Sequence, residues 1–174
     1  MHIEVPALDG GDADEDLLAG AGVLIAMLEE RIDPGGAHAR DLARVCRRLA
    51  RRLNFPQQSV NRFALLGQLY ALDGALRREV GGEVEDEVAG VFSGASLGGL
   101  NPTLRQLGLL LLQDTEYRAG AGPGGGAGLL ALVIEFLRLR SRNGGERVAQ
   151  LLAASGAKAE WINALLADQE ATVE

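Results

Sequence analysis

Imidazole and thiol groups, the side chains most often recruited to bind transition metals or to attack substrates, are scarce in this 174-residue chain. His2, His38 and Cys46 are the whole supply. A metal site built from several histidines or thiolates is therefore excluded within the chain, as is an internal disulfide. A lone cysteine is compatible with a reducing cytoplasm. Cys46 falls on an apolar helical stripe, where a thiol reads as a small core residue rather than a nucleophile. No His–Asp relay accompanies any Ser or Cys, so covalent catalysis has no support.

Three further groups of residues invite a chemical reading. The 24 acidic residues include Glu116 and Glu135, each set in an apolar helical segment. Glu135, in LLALVIEFL, is costly to bury unpaired, so a partner is expected, with arginine a candidate. Arg40, Arg44, Arg47, Arg48, Arg51 and Arg52 crowd one helix. Their forks suit phosphates, a nucleotide or an acidic partner. Lys158 is the only lysine, so arginine fills the basic role throughout, and a solvated helix face is the plainer reading. GAGPGGGAG (120–128) has the glycines of a phosphate cradle without the preceding strand or the Lys–Ser/Thr pair; it reads as a flexible connection.

The elements that must position these groups are helices. Residues 1–14 read as an acidic flexible tail or linker and 15–170 as one helical domain. Helix 15–32 carries Leu17, Leu18, Leu24, Ile25, Leu28 and Ile32 on its apolar face, with Asp12 or Asp14 as cap. It stops at DPGG. Helix 38–53 has the stripe Leu42, Val45, Cys46, Leu49 and Leu53, and ends at NFP. Helix 57–80 presents Val60, Phe63, Leu66, Leu69, Tyr70, Leu72 and Leu76. A short helix is expected over 83–92. Asn101 caps a strongly apolar helix over 103–119 that opens on Pro102. Helices over 129–142, 146–154 and 157–168 close the chain. No stretch alternates with period two, so the fold class is all-α, a compact bundle of about seven or eight helices.

A net charge of −7 argues against a general nucleic-acid binder, since neutralising phosphates needs a basic surface. No apolar run approaches the roughly 20 residues of a membrane span, and the start, MHIEVPALDGG, lacks signal-peptide character. Cytoplasmic localisation without membrane insertion is expected.

At ERIDPGGAHARDLARVCRRLARRLNF (residues 30–55) the chain resembles the opening of HD-GYP domains, the cyclic di-GMP phosphodiesterase branch of the metal-dependent HD phosphohydrolases. Arg31, Asp33, Pro34, His38 and Val45 carry the likeness, with Arg40, Leu42 and Arg44 around them. The family's next landmark matches QLYALDG (68–74), which places its ligating His-Asp pair on Ala71 and Leu72. Asp73 stands one place late and so points elsewhere on the helix. TEYRAGAGP (115–123) matches the HHE and GYP segment: Glu116 is kept, while the histidine positions fall on Asp114 and Thr115. A later acidic ligand position falls on Glu135. RVAQLLAASGAKAEWINALL (147–166) is similar to the closing helices.

HD hydrolysis depends on His and Asp ligands that hold metals and activate water. With only His38, Glu116 and Glu135 left as donors, the resemblance implies a degenerate domain: not an enzyme, without metal or other cofactor, and with His38 a locally hydrogen-bonded helix-start residue. The expected role is a regulatory or protein-interaction module in bacterial signalling, docking a protein partner or self-associating. It implies an exposed apolar patch and a former metal cavity filled by Leu72 and Tyr70. The alternative is a domain that binds a cyclic dinucleotide without cleaving it, which calls for an arginine-lined pocket near His38, Asp73 and Glu116. A phosphodiesterase with altered ligands is the third reading.

Overall fold

The computed structural model describes residues 11–32, 37–80, 102–120, 125–143 and 145–170. Among them the chain is all-helical: α1 (Gly11–Ile32), α2 (Ala37–Arg52), α3 (Gln57–Val80), α4 (Pro102–Ala119), α5 (Gly125–Arg140), α6 (Gly145–Ala154) and α7 (Ala159–Glu170). The expected helix at 83–92 and the Asn101 cap lie outside the described residues.

α3 is the hub. From Phe63 to Asp73 it has no exposed side chain, because Phe63, Ala64, Leu65, Leu66, Leu69, Ala71 and Leu72 cover every direction around the helix rather than one stripe. A helix apolar all round must be enclosed, and α1, α2 and α4 pack on it from different sides. α5 lies on α4 and α2, while α6 and α7 close the bundle, with α7 reaching back to α2.

α2 follows its stripe. Leu42, Val45, Cys46 and Leu49 are buried, Leu53 is half-buried, and Arg40, Arg44, Arg47, Arg48, Arg51 and Arg52 are all exposed. Its end is a Schellman turn. Asn54 takes φ 57°, its N–H donates to Arg51 O at 3.1 Å, and Phe55 N–H donates to Ala50 O at 3.0 Å. Asn tolerates the left-handed conformation this turn needs, and Phe55 supplies the accompanying apolar contact against the core. The short turn sends α3 back antiparallel to α2. The two helices approach closely at Gly67, where an added Cβ would stand 3.0 Å from Cys46 Sγ and 3.4 Å from Leu42 Cγ.

Two helix starts correct the sequence expectations. α1 begins at Gly11, so residues 11–14 are helical rather than tail, and Asp12 and Asp14 lie within the first turn instead of capping it. Acidic side chains in a first turn are favoured by the helix dipole. α5 begins at Gly125, so the second half of the glycine-rich stretch is helix, not connection. The apolar run that follows fills the core with Leu129, Leu130, Leu132 and Val133, and Gly128 lets α5 pass close to the Trp161 ring, 3.8 Å from where a Cβ would stand. No helix among the described residues is long and apolar enough to cross a membrane.

Candidate functional site

The positions matched to metal ligands are set by the register of α3 against its neighbours. α4 runs antiparallel to α3, as two cross-links show. Arg62 Nη1 pairs with Asp114 Oδ1 at 3.0 Å, and Arg118 Nε donates to Ser59 Oγ at 3.2 Å. Residues 114–118 therefore face the N-terminal end of α3. Ala71 and Leu72 lie nine to ten residues beyond Arg62, about 14 Å further along at 1.5 Å per residue. The contacts of Gly67 with Leu42 and Cys46 give the register of α2, whose antiparallel run carries position 38 toward the end of α3 that holds Ala71 and Leu72. The His38 side chain lies outside the described residues.

The segment matched to HHE thus sits about 14 Å along α3 from the pair matched to His-Asp, and the two do not converge. Ala71 and Leu72 are buried members of the apolar core, and Tyr70 is half-buried against it. Asp73 is buried as well, at 1% exposure. Glu116 is exposed. Glu135 has the arginine partner expected of it, since Arg138 Nε lies 3.0 Å from its Oε2, but the pair runs along one helix and both side chains reach solvent. Among the described residues no three His, Cys, Asp or Glu side chains group closely enough to hold a metal ion.

Asp114 and Thr115, at the matched histidine positions, serve the α3–α4 seam. Thr115 is buried and donates its hydroxyl to Leu111 O at 2.9 Å. The Arg62–Asp114 pair is largely enclosed, with side-chain exposures of 19% and 13%. Asp114 Oδ2 is buried without a hydrogen-bond partner among the described residues. This polar seam is absent from the sequence-based candidates. Ser59 and Arg62 lie more than 50 residues from their partners Arg118 and Asp114, and only the antiparallel register makes them neighbours. Cys46 is fully buried, and removal from solvent pushes its thiol well above the ordinary range, so it is a core residue and not a poised nucleophile.

Arg47 borders a groove between α1, α2 and α3 with a volume of about 560 Å³. Neither Asp73 nor Glu116 lines it, so this groove is not the arginine-lined pocket implied near those two residues. Its polar lining comes mainly from Gln57, Gln58, Asn61 and Gln68 of α3. These four amides were missed in the sequence, although Gln57, Asn61 and Gln68 recur at intervals that share one helix face. Of the other arginines on α2, Arg44 pairs with Asp41 one turn back, and Arg52 donates to Ala164 O at 2.7 Å, tying α2 to α7. Large apolar side chains stand exposed elsewhere: Val23 and Met27 one turn apart on α1, and Leu109, Leu110 and Tyr117 on α4.

Comparison with protein-family models, with curated proteins and with solved structures finds no significant match to this chain.

Proposed function

We propose that this chain is a non-catalytic HD-GYP-like helical module that acts in bacterial signalling by docking protein, a second copy of itself included. The observation that carries the reading is the outward face of α4, where Leu110 is 55% and Tyr117 77% exposed beside the partly exposed Leu109. Leu110 and Tyr117, seven residues apart, share one helix face, and exposed apolar side chains that form a patch mark a docking surface. Support comes from the positions matched to metal ligands. Aliphatic side chains occupy two of them in the core, at Ala71 and Leu72, and Arg62 engages a third, Asp114. A guanidinium beside a carboxylate holds the charge that a metal ion would otherwise neutralise.

Sedimentation velocity on the full chain is expected to show concentration-dependent association that Leu110→Glu with Tyr117→Glu removes. Cyclic di-GMP incubated with the protein in manganese or iron is expected to remain intact. A wild type monomeric at every concentration would remove the self-docking form of the reading, and turnover of the dinucleotide would overturn the non-catalytic one.

The exposed Arg40, Arg44, Arg47, Arg48 and Arg51 favour a second reading, a domain that binds a cyclic dinucleotide without cleaving it. Calorimetry with cyclic di-GMP separates the two, with no heat expected for the docking module.

A further inference from the structure

We infer that the groove between α1, α2 and α3 is a binding site for an extended peptide segment that carries one carboxylate. The inference rests on the reading of the chain as a docking module and names a second place where it docks.

The groove exists because α1 turns small residues toward α3. Ala19 and Gly22 line its wall, and a Cβ placed on Gly22 meets nothing within 4 Å, so the side chains that would close the gap are missing. Its volume, about 560 Å³, lies within the size range of ligand sites. The buried Leu65 forms an apolar floor between polar residues.

The chemistry of the lining selects the occupant. Gln57, Asn61 and Gln68 follow one line along α3. Each carboxamide offers both a donor and an acceptor, the same pair that a peptide group presents. Gln57 Nε2 donates to Asn61 Oδ1 at 3.2 Å, which orients two of the three. The eleven steps from Gln57 to Gln68 rise by about 16 Å, which an extended chain covers in about five residues at roughly 3.3 Å each.

Charge sets the remaining requirement. Among the described residues Arg47 is the one charged member of the lining, and no described carboxylate accompanies it. It joins no ion pair among the described residues. In a chain of net charge −7, this groove is a local exception with room for one anionic group on the guanidinium fork. A cyclic dinucleotide would bring two phosphates to a single arginine and leave one unmatched.

The test is selection from a phage-displayed random heptapeptide library against the full chain, followed by fluorescence anisotropy with the best synthetic peptide. Enriched peptides are expected to share one Asp or Glu. Arg47→Gln should weaken binding by about tenfold to a hundredfold, the effect of losing a charge-assisted contact. Gly22→Leu replaces a helix-interior glycine with a better helix former and fills the groove, so it should abolish binding while the melting temperature stays or rises. Arg51→Gln, on the same helix but outside the lining, should leave the affinity unchanged. Failure to enrich any peptide, enrichment without an acidic residue, or binding indifferent to Gly22→Leu would each overturn the assignment. If association that depends on Leu110 persists when selection fails, the groove alone is wrong and the docking reading stands. If cyclic di-GMP binds and no peptide does, both fall.

Discussion

Asp114 holds a largely enclosed ion pair across the α3–α4 seam. One carboxylate oxygen is held by Arg62 and the other is buried without a partner among the described residues. An ion pair this enclosed is a weak source of net stability while intact, but removing one member strands the other charge. Arg62→Ala should therefore cost about 2–4 kcal/mol, read from the urea midpoint followed by the fluorescence of Trp161, the only tryptophan. Arg62→Met with Asp114→Leu should recover most of the loss. A double variant as unstable as the single would show that the damage is steric rather than electrostatic.

Cys46 makes a pH prediction at the same scale. Burial raises its pKa in the folded state, so the native protein keeps the thiol neutral. The unfolded chain ionises near the ordinary value of about 8.5. The unfolded state therefore binds fewer protons above that pH, and stability falls by about 1.4 kcal/mol per pH unit there. Below it the contribution is fully present. The melting temperature of the wild type should drop between pH 8.5 and 10.5 more steeply than that of Cys46→Ala. Parallel slopes would contradict the burial of the thiol. That Cys46 belongs to the core was legible from its place on the α2 stripe. Asp114 was not legible as half of a salt bridge, because its partner lies 52 residues away and no local pattern links them.

Among the elements, α2 and α3 approach closely at Gly67. A methyl at position 67 would press on Cys46 Sγ at 3.0 Å and Leu42 Cγ at 3.4 Å. Gly67→Ala gains helix propensity of roughly 1 kcal/mol but overpacks the seam by about 1–3 kcal/mol, for a net loss of about 1 kcal/mol. Combining it with Cys46→Ala should be less damaging than the sum of the two single changes. α1 is the contrasting case. It packs substantially on α3 alone, its buried apolar contacts among the described side chains are Ala21 and Ile25, and Val23 and Met27 face outward. Hydrogen exchange should be faster across α1 than across α3, and equal protection would refute a single-seam attachment.

α2 was readable in the sequence because one face is polar, so the period of its stripe shows directly. α3 was only half readable. Its expected core face is buried at Val60, Phe63, Leu66, Leu69 and Leu72, but Ala64, Leu65, Ala71 and Asp73 are buried too. A helix enclosed on every side carries no contrast between its faces, so periodicity cannot report how many neighbours it has. The start of α5 in a glycine-rich stretch departs from the sequence expectation for a related reason. Glycine permits a turn without requiring one, and the apolar residues after it favour packing over a loop.

For the whole molecule, the buried apolar residues of all seven described helices form one contiguous cluster, from Ala21 and Ile25 of α1 to Trp161 and Leu165 of α7. A single core predicts a single cooperative transition. Far-UV circular dichroism and Trp161 fluorescence should give coincident urea curves, and separated midpoints would mean that α7 and its neighbours unfold on their own. Phe136 is 2% exposed within that cluster. Phe136→Ala should cost about 3–5 kcal/mol and lower the midpoint by both probes together.

By itself the sequence determined that this chain is helical, that α2 has a core stripe opposite an arginine face, and that histidine and cysteine are too few for a metal centre of those ligands. Each of these follows from composition or from the period of a single helix. Tertiary structure alone decided which end of α3 meets residues 114–118, that Arg62 and Asp114 pair, and that small residues on α1 leave a groove lined by amides. Those outcomes depend on antiparallel register between helices distant in sequence, and register is set by how side chains of different sizes interlock across a seam.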